Sequence, residues 1–95
     1  MVTKTYVVRV ELRDSENADY DELHNLMEQH GFSRTFPVHG NPDLMLPSAE
    51  YVHRSSDPVS VVARQAEDIA SEIKEDPKIM AIQSEAIYFL NLDEV

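Results

Sequence analysis

Apolar and polar residues alternate cleanly near the start of the chain. Tyr6, Val8, Val10 and Leu12 fall on one face, and Thr5, Val7, Arg9 and Glu11 on the other. A two-residue period rich in valine predicts a strand with one buried face. A polar turn over residues 13–17 ends it. The period then changes. Tyr20, Leu23, Leu26, Met27 and His30 recur at helical spacing, which predicts a helix over 20–30. Asp19 and Glu22 have the spacing of an acidic capping box, and Gly31 suits the left-handed cap.

Residues 32–38 read as a second, weaker strand. Pro37 cannot donate to a ladder, which suits an edge strand or a strand end. Residues 39–43 form a loop by composition. Leu44, Met45 and Leu46 read either as the tip of a long hairpin or as a contact for a partner. Residues 49–54 predict a third, short strand. Asp57 and Pro58 then suit the N-cap and first position of a second helix. Its stripe of Val59, Val62, Ala63, Ala66, Ile69, Ala70 and Ile73 is the clearest amphipathic pattern in the chain. Glu75, Asp76 and Pro77 stop it, and a last strand is expected over 81–90. Residues 87–90 are apolar on both faces. An edge strand of that kind is an aggregation liability unless covered, as a homodimer contact would cover it.

Strand, helix, strand, strand, helix, strand in 95 residues predicts one α+β domain over 1–95. The order fits a ferredoxin-like βαββαβ sandwich: a four-stranded antiparallel sheet with two helices on one face and the other face open.

Composition narrows the function. The absence of cysteine excludes disulfides and thiolate metal sites. No apolar run reaches the roughly 20 residues of a membrane span. Arg9, Glu11 and Arg13 interrupt any apolar core of a signal peptide. A soluble cytoplasmic protein is the expectation. The net charge is −10, which argues against a generic nucleic-acid binder but leaves room for a local basic patch. Residues 1–54 hold five basic and nine acidic side chains and all four histidines; residues 55–95 hold three and nine. The first half is therefore the surface expected to meet an anion.

With glycine only at 31 and 40, no Gly-rich phosphate loop is present, and zinc-protease spacings and a G-x-S-x-G elbow are missing too. Asp14, just past the first strand, is either an ordinary turn residue or a carboxylate for a hydrated Mg²⁺. Arg9, Arg34 and Arg54 are either a small cationic patch able to hold phosphates or solvated charges paired with Glu11 or Glu50. His24 and His53 are either structural or general acids and bases near neutral pH. The four tyrosines fit core or rim, and no RNP-like motif marks an RRM.

Thr5-Tyr6-Val7-Val8, then Leu26-Met27, then Phe32-Ser33, then Gly40-x-Pro42 with a strand some nine residues later carry a resemblance. Over about residues 5–55 the chain resembles the GhoS antitoxins of type V toxin–antitoxin systems. Their ferredoxin-like fold is related to the Cas2 proteins of CRISPR systems. The resemblance implies a small cytoplasmic homodimer that binds single-stranded RNA and acts as an endoribonuclease on a toxin mRNA. It implies Arg9, Arg34 and Arg54 as phosphate contacts, Asp14 as metal or acidic site, and His24 or His53 as proton carrier. Glu22 and His24 stand where the family's first helix has basic positions. The rival expectation is a non-enzymatic, dimeric interaction module that meets a basic protein partner, with Leu44, Met45 and Leu46 at the contact. A small-ligand regulatory domain is a third.

Overall fold

A computed structural model describes residues 2–13, 16–36, 43–46, 50–86 and 90–94. The order is β1 (Lys4–Glu11), α1 (Asn17–Gln29), β2 (Thr35–Phe36), β3 (Leu44–Met45), β4 (Glu50–Ser55), α2 (Val59–Ser71) and β5 (Lys78–Ser84). β1 is the central strand of a three-stranded antiparallel sheet, with β4 on one side and β5 on the other. β2 and β3 form a separate two-stranded hairpin.

The alternation read in β1 is the alternation of burial. Tyr6, Val8 and Val10 are fully buried and Leu12 nearly so. Leu23 and Met27 of α1 and Val62, Ala66, Ile69 and Ala70 of α2 join them in one core, together with Phe32 and Tyr51. Burying each larger side chain contributes about 1.5–3 kcal/mol before entropy is counted. The Tyr6 hydroxyl donates to the Asp57 carbonyl at 2.6 Å, which ties the start of α2 to the sheet.

Several boundaries differ from those expected. α1 starts two residues before the proposed Asp19 cap. Its N-cap is Glu16, whose N–H is taken by the Asp19 carboxylate at 2.9 Å. Its end follows the expectation. Gly31 sits at φ +84°, with its N–H on the Glu28 carbonyl and the Phe32 N–H on the Met27 carbonyl. That is the bond pair of a Schellman cap. Pro58, not Asp57, occupies the N-cap of α2. The last strand begins at Lys78 and ends at Ser84, earlier than the expected 81–90; residues 87–89 lie outside the described residues.

A single four-stranded sheet was expected; three strands plus a hairpin are found. Just before β2, Ser33 forms a single bridge to Val52 of β4, and β2 itself ladders with β3 instead. The Ser33 hydroxyl binds the Thr35 N–H at 3.1 Å, a local bond that competes with ladder pairing and turns the chain at Arg34. The hairpin then serves the face opposite the helices. Val52, which pairs with Val7 on that face, is buried, and so is Leu46 just past β3. Phe36 borders a recess with Thr5 and Ser84 of the same face. β3 is held in turn by residues near the C-terminus, through the Met45 N–H on the Asp93 carbonyl and a Leu44–Glu94 bridge. The face expected to be open is thus partly covered by the chain itself.

Candidate functional site

Residues opposite each other in an antiparallel pair share a face. Arg9 stands opposite Glu50 and Met80, and Arg54 opposite Thr5, so both lie on the face away from the helices. Four positions of β1 separate them, about 13 Å at strand rise. Arg34 lies on the other face. Its neighbour Ser33 pairs with Val52, and alternation sends Arg34 to the helix side, where its charge bears on His24 and Tyr51. The three arginines therefore do not form one patch. Asp14, the proposed metal carboxylate, and His39 lie outside the described residues.

What does converge is a group on the helix side, at the β4 edge. Tyr51 is fully buried opposite Val8. Its hydroxyl lies 2.6 Å from His24 Nδ1. Tyr20 stands one helical turn before His24, and the two rings approach at 6.4 Å between centroids; His24 and Tyr51 approach at 5.7 Å. The Tyr20 hydroxyl accepts the Leu12 N–H at 3.0 Å, which anchors the start of α1 to the end of β1. Burial, and then the Arg34 guanidinium, push the His24 imidazole below its ordinary value, against the opposing pull of Asp21 and Glu28. Its neutral form is favoured near pH 7. Burial pushes the Tyr51 phenol upward, so its proton is firmly held. Arg34 is half-buried, and its Nε is buried with no hydrogen-bond partner among the described residues. The group therefore joins an imidazole held toward its neutral form to a guanidinium close enough to act on it electrostatically.

No match emerges from comparison with family models, curated proteins or solved structures.

His53, the other proposed proton carrier, is placed differently. Its Nδ1 lies 2.9 Å from the Gly31 carbonyl, and its ring stacks on Phe32 at 3.9 Å, nearly parallel. It braces the end of α1. Of the proposed contact residues, Leu46 is buried, while Leu44 and Met45 are half-buried strand residues paired with Phe36 and Thr35. Among the described residues, no group of three His, Asp or Glu is placed to hold a metal ion, and no helix is long and apolar enough to cross a membrane.

Tyr51 was missed as a member of the site. The four-residue spacing of Tyr20 and His24 was the legible signal that they share a helix face. The bond from His24 to Tyr51 spans 27 positions and leaves no local mark in the sequence.

Proposed function

We propose that this chain is a ferredoxin-like, GhoS-like cytoplasmic protein that binds single-stranded RNA and cleaves it at the His24–Tyr51–Arg34 group. One observation carries the reading: a half-buried imidazole set 2.6 Å from the Tyr51 hydroxyl and held toward its neutral form by burial and by Arg34, whose Nε has no partner among the described residues. The sheet order β4-β1-β5, with Ser33 bridging to the far side of β4, is compatible with the ferredoxin-like arrangement. In the proposed reaction His24 takes the proton of a ribose 2′-hydroxyl. The freed oxygen attacks the adjacent phosphorus, and the P–O5′ bond breaks. The products are a 2′,3′-cyclic phosphate and a 5′-hydroxyl, whose proton comes from imidazolium or water. The tautomer with Nδ1–H toward the Tyr51 oxygen leaves Nε2 as base. Arg34 offsets the charge that grows on the phosphate oxygens. An Mg²⁺ at Asp14 remains part of the proposal without a step assigned to it.

A panel of single-stranded RNAs, incubated with wild type, His24→Gln and Arg34→Ala purified identically, tests this. General-base removal costs about 10²–10⁴-fold in rate. Equal cleavage by all three preparations would exclude this site, and a 2′-deoxy substitution at the scissile position should block the reaction.

A second reading rests on a different observation. Met80 and Ile82 of β5 are 53% and 51% exposed on the face away from the helices, beside Arg9 and the half-buried Val7. Such a strip suits a dimeric interaction module. If no RNA is cut, Met80→Ser with Ile82→Ser should lower self-association in sedimentation.

A further inference from the structure

β5 is the outer strand of the three-stranded sheet, and its far side is an unpaired edge: among the described residues no backbone bond reaches it. Free N–H and C=O groups on an edge are a template for another strand, and proteins blunt them with short strands, proline, bulges or charges. β5 has little of this. It runs seven residues without proline, pairs one to one with β1 throughout, and carries its single charge at its first residue, Lys78. We infer that two copies of this chain join β5 to β5, antiparallel, into one six-stranded sheet. This pairing rests on the dimeric reading above and gives its apolar strip a partner and a register.

Opposite residues share a face, so a two-fold axis normal to the sheet must pass through a residue position of β5 rather than between two. Centred on Ala81, it sets Met80 opposite Ile82 of the second copy and Ile82 opposite its Met80, so the exposed apolar residues of both strands cover one another. Centred one residue to either side, Ile82 would face Lys78, or Met80 would face Ser84. Charge makes a second copy the fitting occupant. At a net −10, most surfaces of two copies repel. β5, however, starts on Lys78 and is followed by Glu85. Pairing about Ala81 puts Lys78 opposite Ser84 of the second copy and next to its Glu85, and the two-fold repeats that contact at the other end. Lys78 is largely exposed beside Glu11, and Glu85 is exposed and in no ion pair found among the described residues. The two β4 edges, each with its His24 group, then form the ends of the joined sheet, clear of the contact.

Sedimentation of the full chain over a range of concentrations, with hydrogen exchange on the same samples, tests the pairing. Wild type should dimerise, and β5 amides should gain protection as concentration rises. Lys78→Glu alone and Glu85→Lys alone each place like charges at both ends and should weaken self-association about tenfold, as two surface pairs turned repulsive. Mixing the two variants restores opposite charges at both ends, so the mixture should dimerise as wild type does. Circular dichroism checks that each variant folds. A monomer at every concentration would overturn both the pairing and the dimeric reading. Self-association of wild type without added protection in β5, or folded variants that do not rescue each other, would overturn the pairing alone.

Discussion

His24 ties stability to pH through its own environment. Its folded pKa lies below the ordinary 6.5, chiefly through burial and secondly through Arg34. Between the folded and unfolded values the unfolded chain therefore binds more protons. Stability rises with pH there, is fully present above about 6.5, and is lost as pH falls toward the folded value. Urea titrations from pH 8 to pH 5 should show this loss in wild type and a flatter profile in His24→Gln. If the two profiles coincide, the imidazole is not perturbed as described. Tyr51 gives a second residue-scale outcome. Tyr51→Phe keeps the buried ring and removes only the hydroxyl that meets His24 at 2.6 Å. Because His24 is half-buried and can find water, the expected loss is about 1 kcal/mol in urea unfolding. A loss several times larger would mean that the ring itself had been displaced.

The end of α1 is the element whose local chemistry is most complete, and Gly31 is its hinge. At φ +84° any side chain is strained, although a Cβ there would meet the His53 ring only at an ordinary 3.6 Å. Gly31→Ala should therefore cost about 1–2 kcal/mol, the left-handed penalty alone, by thermal or urea unfolding. That glycine was legible in the sequence, as were the β1 alternation and the α2 stripe, because each is a pattern within one element. The boundaries were less so. Glu16 and Asp19 both fit an acidic start of α1, and only the bond from the Glu16 N–H decides between them. The second strand is found within the expected 32–38 but is only two residues long and pairs with β3 instead of joining the main sheet, and Val52 and Leu46 are buried beside it. For the site, chain proximity grouped Arg34 with Arg9 and Arg54, whereas strand parity separates them. Parity at Arg34 is fixed by the Ser33–Val52 bridge, a long-range contact that composition does not encode.

At the scale of the molecule, salt should move folding and RNA binding in opposite directions. A net charge of −10 on 95 residues repels itself in the compact state. The two ion pairs among the described residues, Lys74–Asp19 at 3.8 Å and Lys78–Glu11 at 3.5 Å, are partly or largely exposed and offset little of this. Raising ionic strength from about 0.01 to 0.15 M shortens the screening length from about 30 to 8 Å. The midpoint of thermal unfolding should therefore rise with added salt. RNA binding rests on attraction to phosphate and should weaken, with a slope that counts contacts. On single strands each neutralised phosphate contributes about −0.7 to the slope of log affinity against log salt. Arg34 is the arginine that the structure brings to His24, while Arg9 and Arg54 lie on the opposite face of the sheet. A slope near −0.7 is thus expected, and Arg34→Ala should bring it close to zero. A slope near −1.4, about −0.7 for each of two contacts, that persists in Arg34→Ala would mean that RNA lies across the Arg9 and Arg54 face, away from the His24 group.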